Sequence, residues 1–412
     1  MVDTWVVGNY VSAQAFAAVG TVGPIVNTLI GFFSGLASGA GVVIAQFYGA
    51  KKPEKVRQAV QMSILITVVL TVLFTILGVS MTPMMLKLMK TTEDTIPEAT
   101  TYLTIYFGGM IGLLFYNMCS GILRAVGDSK RPFYYLVVSA VINTVLDLVF
   151  VINFNMGVAG VAYATIIAQA VSALITLITL IRTKSCVRLT VRDFHMHWDV
   201  LKTIFYIGMP AALQMAVTSF SNVFVQSYIN DFGTDCMGGW TAYQKIDQLI
   251  FLPMQSLALA ITTYVGQNLG SGRADNAKKG VHTALAMSMT ATLLIAAVVM
   301  PLAPWLVEFF NDEAGVIEYG TLFLRYLTPF YVLCCVNQIY TGALRGAGDS
   351  RAPMIIMLGA YVLFRQVYLF IMARVCNQIL PISMSYPAGW LVCSALTLIY
   401  YRKKHLARLS AA

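Results

Sequence analysis

The sequence predicts an all-α polytopic membrane protein of twelve transmembrane helices, the first one truncated, in two pseudo-twofold-related six-helix lobes. Three observations carry this. Of 412 residues, 58% are hydrophobic and 11% charged, against about 25% charged in soluble domains, and the mean hydropathy is +0.74. Apolar runs long enough to cross a bilayer as helices follow one another with brief connections. The chain also repeats itself at a constant interval of 221 positions.

The runs fall at 21–48, 57–80, 98–120, 133–152, 158–181, 203–229, 237–265, 280–307, 316–342, 352–374 and 378–401. Residues 1–11 read as the last turns of a twelfth. The seventh helix begins near Lys202, and stepping back one repeat places its counterpart's start about twenty residues upstream of Met1. The charged stretch 183–200 separates an N-terminal lobe, 1–182, from a C-terminal lobe, 201–402, with a tail at 403–412.

The net charge of +9 does not indicate nucleic acid, because the basic residues sit in short loops between apolar runs. One alternate set of loops, with the tail, holds 21 of the 27 Lys and Arg residues: around Lys51–Arg57, Arg124–Arg131, Arg182–Lys202, Arg273–Lys279, Arg345–Arg351 and Arg402–Arg408. The other set carries Glu93, Asp94, Glu98, Asp231, Asp235, Asp312 and Glu313. The bias places the basic loops and the C-terminus in the cytoplasm, hence a multi-pass protein of the cytoplasmic membrane. Seven scattered cysteines make no Cys-x-x-Cys motif, and His195 and His197 have no further ligands nearby. The sequence therefore gives neither a disulfide framework nor a zinc site. It holds no Walker or Gly-rich phosphate loop and no spaced catalytic pair near a membrane surface, so neither ATP-driven transport nor an enzyme is expected.

The repeat is carried by Gly121-Ile-Leu-Arg124-Ala-Val-Gly127-Asp128-Ser129-Lys-Arg-Pro132, which returns as Gly342-Ala-Leu-Arg345-Gly-Ala-Gly348-Asp349-Ser350-Arg-Ala-Pro353. Gln46 and Gly49 return as Gln267 and Gly270 at the same interval. Six spans per lobe give both lobes one orientation, related about the membrane normal, with substrate expected between them. In these loops Arg124 and Arg345 complement a helix C-terminus, Gly127 and Gly348 take a left-handed turn, and Asp128 (with Asp349) or Ser129 caps the next helix. A gating role is compatible with that.

The run 133–152 holds the sharpest chemical signal. Ser139, Asn143 and Asp147 are four apart and share one helix face. An intramembrane carboxylate is costly, so Asp147 reads as ion-handling, while Asn143 alone would read as interhelical glue. The turn to the following helix centres on Met156, nine residues from both Asp147 and Thr165, so the two lie at one depth. Asp3 sits close to the same level, and Thr165 with Gln169 makes a further polar stripe.

Together with Asp3-Thr-Trp-Val-Val-Gly8, Gln46-Phe-Tyr-Gly49, Gly157-Val-Ala-Gly160-Val-Ala-Tyr-Ala-Thr165 and Gln267-Asn-Leu-Gly270, these motifs make the chain resemble the multidrug and toxic compound extrusion family from Val2 to about His405. The resemblance implies twelve helices and export of organic cations driven by inward Na⁺ or H⁺, with no other cofactor. It implies a coupling site of Asp3, Asn143, Asp147 and Thr165, oxygen groups suited to Na⁺ or a proton. Partners are then small organic cations or drugs and membrane lipid, for a monomer. One repeat onward, Asp3 maps to Phe224, Asn143 to Phe364, Asp147 to Tyr368 and Thr165 to Tyr386 or Pro387. Coupling is therefore expected in the N-terminal lobe alone, with interhelical pairing for Lys245, Asp247, Arg325 and Arg365. The alternative reading is a lipid-linked saccharide flippase of a related transporter family, with the Lys and Arg residues meeting a pyrophosphate.

Overall fold

The structure is a computed structural model describing residues 6–8, 10–88, 94–190 and 195–405. Two long helices come first, α1 (Ala13–Gly49) and α2 (Pro53–Leu88). α3 (Ile96–Gly108) and α4 (Met110–Ala125) meet at Gly109 with a bend of 47°. α5 (Lys130–Leu148) runs on through a π turn, Val149–Asn153, and α6 (Gly157–Arg182) returns. The second series is α7 (Trp198–Asn230), α8 (Thr234–Gly270), α9 (Ala274–Glu308), α10 (Ala314–Leu327) and α11 (Tyr331–Gly346). It ends with α12 (Arg351–Met357), α13 (Arg365–Val375), α14 (Ile379–Ser383) and α15 (Ser385–Tyr400). Among the described residues ten helical segments are long and apolar enough to cross a membrane, and the bent pair α3–α4 makes an eleventh. These are the eleven apolar runs.

The duplication extends to the element boundaries. α1 and α8 both begin and end 221 positions apart, at Ala13 and Thr234 and at Gly49 and Gly270. The starts of α2 and α9, and of α5 and α12, keep the same interval. The chain divides into two compact units, 1–48 with 52–212 and 49–51 with 213–412. One apolar core fills the first unit; two adjoining cores fill the second.

The Arg-x-x-Gly-Asp loops form the same turn twice. Gly127 has φ +91° and Gly348 φ +85°. Their amides donate to Arg124 O and Arg345 O at 2.9 Å, and the Asp128 and Asp349 amides reach back to Leu123 O at 3.0 Å and Leu344 O at 2.9 Å. These bonds satisfy the carbonyls that the ends of α4 and α11 leave open. The cap of the next helix falls to the aspartate: Asp128 Oδ1 accepts from the Arg131 amide and Asp349 Oδ1 from the Ala352 amide, both at 3.2 Å. Ser129 and Ser350 make no side-chain cap. Gly127→Val and Gly348→Val place a β-branched residue at positive φ, which costs about 1–3 kcal/mol. Each variant is expected to lower the detergent-solubilised Tm by several degrees, whereas an unchanged Tm in both would remove the turn's importance.

Small residues set the closest approach in the first unit. A Cβ on Gly35 would stand 2.6 Å from the Ala212 backbone, and one on Gly39 2.2 Å from Gly208 Cα. Gly35-x-x-x-Gly39 on α1 thus runs antiparallel against Gly208-x-x-x-Ala212 on α7. Between apolar helices in lipid such backbone contact replaces the hydrophobic drive.

Candidate functional site

α5 is built inside out. Its buried residues are Pro132, Ser139 and Asp147, and Asp147 is 0% exposed. Phe133, Tyr134, Leu136, Val137, Val138, Val141 and Val145 of the same helix face outward. The polar stripe turns inward because lipid solvates the valines and cannot solvate a carboxylate. Asn143, one turn before Asp147, is half-buried, and its Nδ2 is enclosed without a hydrogen-bond partner among the described residues.

Three contacts fix the register of α5 against α6. Tyr135 Oη and Thr179 Oγ1 are 2.8 Å apart, and Ser139 Oγ donates to Ala168 O at 2.8 Å. Toward the turn, a Cβ on Gly160 would lie 3.1 Å from Phe150 Cβ. Asn143 and Asp147 fall between the latter two contacts on α5, and Thr165 falls between them on α6. The three residues therefore share the stretch of the α5–α6 pair that these two contacts bound. Thr165 Oγ1 donates to Val161 O at 3.0 Å, within its own helix. Asp3 lies outside the described residues.

The run 98–120, expected as a single span, is broken by the bend at Gly109. A Cβ on Gly109 would press on Ile166, beside Thr165, and one on Gly112 would meet the Ala170 amide nitrogen at 2.6 Å. The α3–α4 break thus sits against the Thr165 turn of α6. The Gly-x-x-Gly spacing was available as a close-packing signal, as was Tyr135, four residues before Ser139.

The second unit corrects the expectation of interhelical ion pairs. Lys245 and Arg325 are exposed, Asp247 is half-buried and Arg365 is buried. Among the described residues the one ion pair is Arg131–Asp128, at 3.4 Å. Arg365 instead donates to Ser221 Oγ at 2.8 Å and Asn222 Oδ1 at 2.9 Å, with its guanidinium 4.8 Å over the Tyr386 ring. Neutral oxygens and a ring face share its charge in place of a carboxylate. Arg345, also buried, reaches Gln214 Oε1 at 3.5 Å. Of the residues one repeat after the first-unit set, Phe224 and Phe364 face outward, and Tyr368 packs on Phe364 at 6.4 Å and donates from Oη to Pro381 O at 3.2 Å.

A fully buried mid-span carboxylate within a duplicated helical membrane fold points to a transporter-type architecture. Comparison with known proteins agrees. The family model described as MatE matches residues 1–149 and again 210–371, and the chain belongs to the MatE family. It is 28% identical over 97% of its length to a probable multidrug resistance protein, YpnP, of Bacillus subtilis strain 168, covering 89% of that protein. It is 20% identical over 87% of its length to the multidrug export protein MepA of Staphylococcus aureus strain MRSA252, covering 79% of it. Among solved structures, MATE in the bent conformation superposes with a TM-score of 0.92 at 24% identity, covering 100% of this chain and 90% of that one. An outward-facing multidrug resistance MATE transporter of the MOP superfamily gives a TM-score of 0.92, also at 24% identity, over 99% and 91%.

Proposed function

We propose that this chain is a cation-coupled antiporter that exports organic, cationic drugs and toxic compounds across the cytoplasmic membrane by alternating access. The observation that carries the reading is Asp147: fully buried, mid-span, on a helix whose other faces are apolar, with Asn143 one turn away. Relatives named for multidrug resistance and multidrug export supply the substrate class. Inward-moving Na⁺ or H⁺ is the co-substrate of the layer, which Asp3 completes. Neutralising the carboxylate changes how Asn143 and Thr165 hydrogen-bond between α5 and α6, and so biases the unit toward one facing state. Organic cation need never touch Asp147. The protein acts as a monomer in lipid, with its C-terminus in the cytoplasm.

The test is uptake and counterflow of ethidium in proteoliposomes under separate Na⁺ and pH gradients. Accumulation that follows one gradient and collapses with it is expected. Ethidium movement indifferent to both gradients removes the antiport reading. Movement of a lipid-linked saccharide in its place would favour a flippase.

A further inference from the structure

Arg365 carries a buried charge that its neighbours leave uncancelled. It lies inside the 25-residue span Arg351–Val375 and is 3% exposed. The buried residues Pro353, Met357, Tyr361, Arg365 and Leu369 of that span follow at intervals of four. In an α-helix such a row drifts by about 40° at each step and would leave the inner face. The π segment Leu358–Phe364, immediately before Arg365, has wider turns that keep the row inward. Local π turns of this kind are frequent at functional sites.

A guanidinium has five N–H donors. Here Nη2 uses its two, to Ser221 Oγ at 2.8 Å and Asn222 Oδ1 at 2.9 Å. Nε is enclosed without a partner, and among the described residues Nη1 makes no hydrogen bond. Ser221 is already engaged elsewhere, because its hydroxyl donates to Tyr361 O at 2.9 Å and accepts from Gln366 Nε2 at 3.2 Å. The rings of Tyr386 and Tyr361 stand 4.8 and 6.0 Å from the guanidinium carbon. Their phenols are the titratable groups within electrostatic reach, and a phenol is neutral at physiological pH. Neutral oxygens and ring faces spread the positive charge without cancelling it, and an uncancelled charge inside a membrane is costly.

The polarity is opposite to that of the first unit. Run 133–152 carries Asp147 and no base, whereas run 352–374 carries Arg365 and no acid. We propose that Arg365 is an anion site of the second unit, at the contact of α7 with α13, and takes one small monovalent anion of the halide class, such as chloride, on its unmet N–H groups. Tyrosine rings flank the guanidinium and Nε is walled in, so the ion approaches along the guanidinium edge beside Asn222, which is exposed. Those surroundings set the size. One guanidinium sets the charge, because a pyrophosphate would need further cations at the same place. Lys245 and Arg325 are exposed, and Arg374 lies over the Phe370 ring at 3.8 Å. A bound halide neutralises the guanidinium and strengthens the α7–α13 contact. The site does not depend on the antiport reading and adds no coupling ion to it.

The experiment is equilibrium dialysis of radiolabelled chloride against the purified full chain in detergent, with Na⁺ concentration and ionic strength held constant by gluconate. The wild type should show one saturable site, displaced by bromide and not by sulfate, and its Tm should rise by several degrees as chloride replaces gluconate. Asn222→Asp puts a carboxylate where the guanidinium now meets a neutral oxygen at 2.9 Å, on an exposed residue. It should weaken chloride binding at least about tenfold and raise the Tm in gluconate to the wild-type value in chloride. Arg365→Gln should lose the binding as well; since it can also unsettle Ser221 and Asn222, Asn222→Asp is the deciding variant. A wild type with no saturable chloride binding overturns the proposal and means that neutral oxygens alone hold Arg365. Undiminished chloride binding in Asn222→Asp overturns it too, as does displacement by sulfate or pyrophosphate at lower concentration than by bromide. Gradient-driven ethidium export reports on the antiport reading separately, because this measurement contains no gradient.

Discussion

Asp147→Asn is expected to bring gradient-driven export down to the level of empty vesicles, at least about tenfold below wild type, with normal expression and a single size-exclusion peak. The residue is 0% exposed, and Asn reproduces its shape while removing charge and titration. Burying a neutral amide costs less than burying a carboxylate, so folding should be unharmed or improved. What disappears is the change of charge on which coupling depends. Asn143 one turn away and Thr165 on α6 then keep a single hydrogen-bonding arrangement in both halves of the cycle, and the ion gradient has no purchase on the unit. Downhill counterflow of ethidium should persist in part, because the substrate does not need this carboxylate. The measurement is accumulation in proteoliposomes under Na⁺ and pH gradients, normalised to reconstituted protein. Full gradient-driven export in Asp147→Asn would sink the mechanism.

The fold was legible because each transmembrane helix carries its own signal in a run of apolar residues, with no need of tertiary information. The turns at Gly127 and Gly348 were legible for a related reason: a repeated Gly before Asp, at a helix end, is local chemistry, and both residues have positive φ. The inward stripe of Ser139, Asn143 and Asp147 was readable because helical periodicity alone aligns it. What the sequence withheld is registry between helices. Tyr331 and Asp247 are 84 positions apart, and no periodicity on α8 says that a phenol of α11 stands beside it. Ion pairing was the natural expectation for Lys245, Asp247, Arg325 and Arg365, since all four lie within apolar runs. Yet Lys245 and Arg325 face outward and Arg365 finds neutral acceptors. The choice between Asp128 and Ser129 as cap was open for the same reason, since both side chains can reach the first turn and backbone geometry alone selects Asp128. The bend at Gly109 was hidden because a glycine inside an apolar run changes hydropathy little.

Gly39→Leu is expected to be the most destabilising single substitution in the first unit, leaving little or no monodisperse protein. A Cβ there would lie 2.2 Å from Gly208 Cα and 2.5 Å from Gly208 N, and one turn earlier a Cβ on Gly35 would meet Ala212 at 2.6 Å. The obstructing atoms are main chain on both sides, so no rotamer change relieves the clash; α1 and α7 must separate. Overpacking of this kind costs about 1–3 kcal/mol where a side chain can give way and more where it cannot, and total stability is only about 5–15 kcal/mol. Lipid cannot refill the gap with anything better than the lost backbone contact. Gly20 on the same helix supplies the control, because among the described residues nothing lies within 4 Å of its would-be Cβ; Gly20→Leu should behave as wild type. Gly35→Leu should also be harmful, and Gly35→Leu with Gly39→Leu should cost less than the two losses added, since the first separation of the helices already relieves the second clash. Fluorescence-detected size exclusion after a temperature series measures all four variants. A Gly39→Leu profile matching Gly20→Leu would mean that α1 and α7 do not approach so closely.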